Sequence, residues 1–191
     1  MSYLLWSAHT EPGHCVLAST IIDDVDRLHL GEAVPADFGQ PIEYPMNDLF
    51  PDDIELSDNY ERAGQIVISK RLKEAVEKGL KNHHLQFLPV TIRNHKGRVA
   101  SKDYFLLHSQ DMCDCIDQKK SKVRWSPLNK KKIIRCESLV IKPDAVPKSL
   151  SLFRLEHWGS NIVVSKAFAD SLLKQKFVGL SFVEPSKYNG M

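Results

Sequence analysis

Three aspartates beside two cysteines have the residue types and spacing that could support catalysis. Asp111, Asp114 and Asp117 surround Cys113 and Cys115, and clustered carboxylates can bind a magnesium ion or act as acid and base. Aspartate is also among the residues that turns prefer. The spacing of three residues therefore favours a turn or a strand end, and a hydrolase or transferase is the least favoured of three functional classes.

Two groups of histidines have side chains that bind metals in other proteins. His83 and His84 are adjacent, but neighbouring imidazoles after a helix more often cap its end or face solvent. His9, His14 and Cys15 flank the predicted first turn and lack a fourth ligand in the sequence. The sequence therefore predicts no metal site and no cofactor.

The short motifs that identify many enzymes are missing. The sequence contains no Gly-x-Ser-x-Gly elbow, no Gly-x-Gly-x-x-Gly, no Walker loop, no His-Glu-x-x-His and no calcium-binding loop. Serine precedes lysine at Ser69-Lys70 and again at Ser165-Lys166. A helix-capping serine beside an exposed lysine explains both pairs without chemistry. We therefore expect a protein that binds a partner, not an enzyme.

Positive charge dominates residues 119–135, which also contain Trp125 and Pro127. The basic side chains are those of Lys119, Lys120, Lys122, Arg124, Lys130, Lys131, Lys132 and Arg135. Such a segment could bind single-stranded nucleic acid through phosphate neutralisation and base stacking. It is equally typical of a solvated hairpin whose lysines prevent edge-to-edge pairing. One tryptophan and a whole-chain isoelectric point of about 8.3 favour the hairpin and make nucleic acid the less favoured partner.

Acidic residues are concentrated at the other end of the chain. Residues 1–61 contain thirteen Asp or Glu and one basic residue, Arg27, for a net charge of −12. Residues 62–191 contain eleven acids and twenty-five bases, for +14, and the whole chain has a formal charge of +2. The acidic segment either packs over the basic remainder or faces a partner of opposite charge.

Length and composition indicate one soluble globular domain. The chain has 191 residues, 42% of them apolar and 26% charged, which is enough to bury a sizeable core. Apolar runs are only a few residues long, and residues 1–7 lack a basic stretch before their apolar one. We therefore expect no membrane segment, no secretory signal and a cytoplasmic location. None of the four cysteines forms a Cys-x-x-Cys pair, so we expect buried free thiols.

Residues 65–76 and 161–172 resemble each other with a constant offset of 96 positions. In each copy a contiguous β-branched run predicts a strand covered on both faces. The serine that follows is a preferred N-cap, and apolar residues at helical spacing come next. A second short apolar run follows at 85–89 and at 180–185. The pattern predicts a duplicated strand-helix-strand unit.

The remaining segments complete an α+β prediction. Residues 90–107 indicate two strands joined by a turn, so we expect a central, mostly antiparallel sheet that contains the duplicated unit. Residues 31–61 contain Pro35, Pro41, Pro45 and Pro51 among many acids, which predicts an extended, irregular segment. We therefore expect one domain, 1–191, with an acidic N-terminal segment at 1–61 and the duplicated core at 62–191.

Several short motifs resemble those of immunity protein family eleven, once catalogued as a bacterial domain of unknown function. In chain order they are Asn47-Asp48-Leu49-Phe50-Pro51, Ile66-Val67-Ile68-Ser69-Lys70-Arg71-Leu72-Lys73, Leu85-Gln86-Phe87-Leu88-Pro89-Val90, Tyr104-Phe105-Leu106-Leu107, Asp114-Cys115-Ile116-Asp117 with Ser121, and Phe153-Arg154 before Ile162-Val163-Val164-Ser165. The resemblance extends from about residue 45 to residue 187. It implies a bacterial immunity protein of a polymorphic toxin or interbacterial competition system.

Such a protein would inhibit a cognate toxin in the cytoplasm by stoichiometric binding, with no catalytic residues of its own. An acidic surface suits a basic toxin, such as a nuclease domain. The residues that we expect to contact it are Asp23, Asp24, Asp26, Asp48, Asp52, Asp53, Asp114 and Asp117. The Asp114-Cys115-Ile116-Asp117 stretch resembles a family hallmark, either as a toxin contact or as a determinant of the fold. The alternative function is a nucleic-acid-binding module built on residues 119–135.

Overall fold

The computed structural model describes residues 2–81 and 83–188, which form short strands and helices. The strands are β1 (Tyr3–Ala8), β2 (Ile42–Pro45), β3 (Asn59–Arg62), β4 (Gln65–Ser69), β5 (Leu85–Arg93), β6 (Val99–Ser109), β7 (Met112–Cys113), β8 (Lys122–Trp125), β9 (Ile133–Ser138), β10 (Leu152–Leu155), β11 (Trp158–Ser165) and β12 (Leu180–Val183). The helices are α1 (Asp26–His29), α2 (Lys70–Gly79) and α3 (Lys166–Leu173). The α+β class is confirmed.

The strands form two five-stranded sheets and one hairpin, whereas the sequence predicted a single central sheet. The first sheet has the order β2-β5-β6-β4-β3, the second has the order β12-β1-β11-β10-β7, and β8 forms a hairpin with β9. Pairing is antiparallel except at two edges, where β2 runs parallel to β5 and β7 runs parallel to β10. The prediction of one sheet was wrong because alternating polarity marks a strand without identifying its neighbours.

Each sheet contains one strand-helix-strand unit. In the first sheet β4 and β5 both pair antiparallel with β6, and in the second β11 and β12 both pair antiparallel with β1. A preceding strand forms a hairpin with each unit, β3 with β4 and β10 with β11. The order of elements is the same in the two units, although duplication itself stays a prediction.

The serine caps form as the sequence predicted. Ser69 Oγ accepts a hydrogen bond from the Leu72 N–H at 3.2 Å, and Ser165 Oγ accepts one from the Phe168 N–H at 3.3 Å. Both serines therefore begin helices, as their residue type favours. A side chain at Gly79 would meet the Phe168 ring at 2.6 Å, so a glycine there allows α2 and α3 to approach each other.

One apolar cluster joins the helices α2 and α3 to one face of each sheet. Ile66 and Ile68 of β4 share this cluster with Ile162 and Val164 of β11, together with the buried residues of α2 and α3. The alternate side chains point to the other faces, so Val67 belongs to a second cluster and Val163 to a third. This alternation is what a strand covered on both sides requires.

The N-terminal segment covers the outer face of the first sheet and is more regular than predicted. Buried side chains from Cys15 to Met46 pack in the second cluster against β5 and β6. Within the stretch expected to be irregular, β2 forms and β3 begins. Pro41 precedes β2 and Pro45 ends it, and β2 is an edge strand, where proline is tolerated.

The outer face of the second sheet is covered by residues 113–150. Cys113, Cys115 and Cys136 are buried here against β1, β10 and β11, and all four cysteines of the chain are free thiols, as predicted. Burial raises the pKa of each thiol. These cysteines therefore act as small apolar residues.

A buried asparagine joins the two sheets. Asn59 of β3 is 1% exposed, and its Oδ1 accepts a hydrogen bond from the Trp6 indole N–H at 2.8 Å. Its Nδ2 donates to the carbonyls of Ser7 at 2.9 Å and Gly179 at 3.1 Å. One side chain of the first sheet thus satisfies three polar groups of the second.

We expect Asn59→Ala to lower the free energy of unfolding by about 2–4 kcal/mol, because it leaves the buried Trp6 N–H without its partner and removes two hydrogen bonds to backbone carbonyls. Urea denaturation followed by tryptophan fluorescence measures the change. Asn129→Ala, at an exposed asparagine, is the matched control and should cost less than about 1 kcal/mol. Equal losses in the two variants would contradict this role.

His108 and Arg154 are two buried basic residues, and neither has an acidic partner in the described residues. His108 is fully buried and Arg154 is 2% exposed. The His108 Nε2–H donates to the Glu32 carbonyl at 2.8 Å, while its Nδ1 has no partner in this part of the chain. Burial and the nearby positive charge of Arg154 lower the pKa of His108 to about 4.

We therefore expect stability to fall as the pH drops from 6.5 to 4. The unfolded chain takes up a proton on His108 near pH 6.5, whereas the folded chain resists protonation until about pH 4. The difference corresponds to about 3 kcal/mol. The measurement is urea denaturation at stepped pH, comparing His108→Gln with the exposed-site control His9→Gln. An identical decline in the parent and in His108→Gln would show that another group is responsible.

Candidate protein-binding surface

The predicted contact residues near α1 are exposed, and one of them pairs with the basic part of the chain. Asp23, Asp24 and Asp26 are all exposed. Asp26 Oδ1 lies 3.8 Å from Lys132 Nζ and 3.9 Å from His29 Nδ1. Asp26 is therefore partly neutralised within the chain, while Asp23 and Asp24 form no ion pair in the described residues.

A second group of predicted contact residues lies in the loop 47–55, between β2 and β3. Asp48 and Asp52 are exposed and Asp53 is half-buried. Asp48 Oδ1 lies 3.2 Å from His95 Nδ1, in the turn between β5 and β6. Within the described part of the chain, the carboxylates of Asp52 and Asp53 form no ion pair.

Other acids of residues 1–61 pair with the basic remainder of the chain. Arg93 donates two hydrogen bonds to Glu43, at 2.7 and 2.6 Å, and these bonds lower the pKa of Glu43. Arg71 binds Asp58 at 2.5 Å. Burial opposes ionisation of Asp58, but bonds from Arg71, Ser69 and the Val178 N–H outweigh it and lower its pKa. The acidic segment thus packs on the core and also leaves charges facing solvent.

Asp114 and Asp117 lie beyond β7 and differ in role. Asp114 is exposed, and its Oδ1 lies 3.5 Å from His157 Nε2. Asp117 Oδ1 accepts hydrogen bonds from the backbone N–H groups of Lys119 and Lys120 at 3.1 and 3.2 Å. Asp117 therefore stabilises a turn. This role favours the Asp114-Cys115-Ile116-Asp117 stretch as a determinant of the fold.

The residues considered as metal ligands have structural partners. Asp111 binds the His84 ring at 2.8 Å and accepts from the His84 backbone N–H at 3.1 Å. His83 Nε2 accepts hydrogen bonds from the backbone N–H groups of Ser151 and Leu152 at 2.8 and 3.3 Å. In residues 2–81 and 83–188, no group of three or more His, Cys, Asp or Glu side chains is placed to hold a metal ion.

The basic segment forms the β8–β9 hairpin and one wall of a groove. Arg124 stands opposite Arg135 across the hairpin, and the Trp125 ring packs edge-on against His157 with centroids 5.4 Å apart. The groove has a volume of about 800 Å³. Its walls come from α1, the loop before β9 and the β10–β11 turn, and they include Leu30, Lys131, Lys132, Ile134 and Trp158. Sequence reasoning missed the groove because these segments are far apart in the chain.

Sequence reasoning also missed three exposed apolar side chains in the loop 47–55. Leu49 is 80% exposed, Phe50 is 45% exposed and Ile54 is 62% exposed. The signal was present, because three large apolar residues lie among prolines and aspartates without the spacing of a strand or helix. The loop therefore combines apolar and acidic side chains in one exposed segment.

Comparisons with known proteins identify the family of the chain. In the described residues, no helix combines the length and apolar character that crossing a bilayer requires. A search of curated proteins found no match. The model of the Immunity protein family (Imm11) matches residues 11–187, a span that includes both sheets except for β1. The chain therefore belongs to the immunity protein family Imm11.

Proposed function

We propose that this protein neutralises a cognate bacterial toxin by direct, stoichiometric binding in the cytoplasm. The observation that supports this proposal is the family match over nearly the whole chain. In this proposal the protein acts in a polymorphic toxin or interbacterial competition system, where it forms a tight complex with the toxin and turns over no substrate. The proposal therefore assigns inhibition to a binding surface instead of a catalytic site.

The charge distribution favours a basic toxin as the partner. Residues 1–61 have a net charge of −12, and several of their carboxylates face solvent and form no ion pair within residues 2–81 and 83–188. Among the eight aspartates predicted to contact the toxin, Asp26 is partly engaged with Lys132 and Asp117 stabilises a turn. The favoured contacts are Asp23, Asp24, Asp52 and Asp53, which form no ion pair in the described residues. Asp48 and Asp114 each lie beside a histidine and are further exposed candidates.

Co-expression with each reading frame encoded beside this gene, scored for a toxic product, tests the proposal directly. We expect this protein to restore growth of cells that express the toxin and to co-purify with it in a fixed ratio. Failure to bind or to restore growth against every neighbouring candidate would overturn the proposed function.

We expect the double substitution Asp52→Asn and Asp53→Asn to slow association with the toxin about 3- to 10-fold at low salt, because exposed charges steer encounter. The dependence of the association rate on salt should weaken as well. Stopped-flow fluorescence at several salt concentrations measures both effects.

The matched control is the pair Glu74→Gln and Asp103→Asn, which removes two exposed acids outside residues 1–61. An association rate that falls equally in both double variants would mean that net charge matters and the position of these aspartates does not.

A nucleic-acid-binding module is the second candidate function. A cavity of about 490 Å³ beside the β8–β9 hairpin is lined by Trp125, Lys130, Lys131 and His157, a combination of base-stacking and phosphate-binding side chains. If this site binds single-stranded nucleic acid, a gel shift at low salt should weaken in Trp125→Ala and Lys130→Ala. No shift of the parent protein at low salt would exclude this function.

A further inference from the structure

The loop 47–55 exposes more apolar surface than a solvated loop needs. Leu49, Phe50 and Ile54 lie within six positions of one another and are 80%, 45% and 62% exposed. Single exposed apolar residues are ordinary on soluble proteins, but a local group of large ones marks an interaction site. Within the described residues, Leu49 and Ile54 keep most of their surface exposed, and Phe50 keeps nearly half.

Backbone hydrogen bonds hold the loop in one conformation. Asn47 fixes its start, because its N–H donates to the Val16 carbonyl at 2.8 Å and its Oδ1 accepts from the Leu49 N–H at 3.1 Å. Two consecutive turns follow, in which the Phe50 N–H donates to the Asn47 carbonyl at 3.0 Å and the Asp53 N–H donates to the Phe50 carbonyl at 3.2 Å. A loop that is ordered before binding loses less entropy in a complex.

The turn between β5 and β6 supports the loop from the side. His95 Nδ1 lies 3.2 Å from Asp48 Oδ1, and His95 Nε2 lies 3.5 Å from the Asp53 carbonyl oxygen. At the far end, the Glu55 N–H donates to the Gly13 carbonyl at 3.0 Å. The loop is therefore fixed at its start, middle and end, although its apolar side chains project into solvent.

The charge of the loop restricts what can cover it. Residues 47–55 contain Asp48, Asp52, Asp53 and Glu55 and no basic residue. A second copy of this chain, docked loop to loop, would place these carboxylates against each other, and nucleic acid would bring its phosphates to them. A protein surface with an apolar pocket and a basic rim matches both the apolar and the acidic side chains.

We propose that the loop 47–55 is the anchor of the complex with the toxin. Leu49, Phe50 and Ile54 enter an apolar pocket on the toxin, and Asp48 and Asp52 face basic residues at its rim. This inference rests on the proposed function and specifies the surface that carries it. The apolar contacts set the lifetime of the complex, whereas the surrounding carboxylates set the rate of encounter.

The test compares loop variants with a matched control for binding to the toxin that co-expression identifies, produced in an inactive form. The double variant Leu49→Ser and Ile54→Ser removes the two most exposed apolar side chains of the loop. Leu128→Ser, at a leucine that is 97% exposed on the β8–β9 hairpin, is the control. Surface plasmon resonance gives the association and dissociation rates, and a thermal melt of each variant verifies folding.

We expect the double variant to bind at least about 100-fold more weakly, mainly through faster dissociation, as the loss of central apolar anchors does elsewhere. Leu128→Ser should bind like the parent, and the melting temperatures of all variants should agree within a few degrees. If the double variant melts early, Leu49→Ser alone serves as the substitute, because this side chain is the most exposed of the three.

The outcomes separate this inference from the proposed function. A parent protein that binds the toxin, together with a double variant that binds equally well, would overturn the loop as the anchor and leave the proposed function intact. A parent protein that binds no neighbouring toxin would overturn both. Loss of self-association in the double variant, seen by sedimentation without toxin, would assign the loop to a homodimer and also overturn the inference.

Discussion

The arrangement of the two sheets depends on two consecutive polar residues at the start of β3. Asn59 satisfies the indole of Trp6 and two carbonyls of the second sheet from a fully buried position. Its neighbour Asp58 receives bonds from Arg71 at the start of α2 and from the Val178 N–H before β12. A buried polar group needs its hydrogen-bond partners at fixed distances and angles. The bonds of Asn59 and Asp58 therefore fix the orientation of one sheet relative to the other, whereas apolar packing alone is not directional.

Local elements were predictable wherever one segment determines its own structure. The caps at Ser69 and Ser165 and the helices after them follow from residue type and spacing, and the structure places both as expected. The division into two sheets was not predictable, because it depends on β1 pairing with β11 and β12 at the far end of the chain. The strand β2 was not predicted for a different reason. The prolines at its ends indicated an irregular segment, but proline is tolerated in an edge strand, and the sequence does not show which strands lie at an edge.

The candidate surface was predictable in its charge and not in its apolar part. The excess of acids in residues 1–61 is visible in the sequence, but which carboxylates remain available depends on partners such as Arg71, Arg93 and Lys132, which come from other elements. The sequence does not show that Leu49 and Ile54 are exposed. Large apolar residues in a loop can equally pack into the core, and only the folded chain decides between the two. The buried histidine His108 is a similar case, because only its neighbours decide its charge.

The position of β1 between β11 and β12 also determines the order in which the protein can assemble during synthesis. The first sheet is complete once residue 109 is available, so it can form early from contacts that are comparatively close in sequence. In the second sheet, β1 is made early but must wait for its partners β11 and β12 until residues 158–183 leave the ribosome. The loop 47–55 is made before the first sheet is complete, whereas the hydrogen bond from Asn59 to the Gly179 carbonyl must wait until residue 179 has been added.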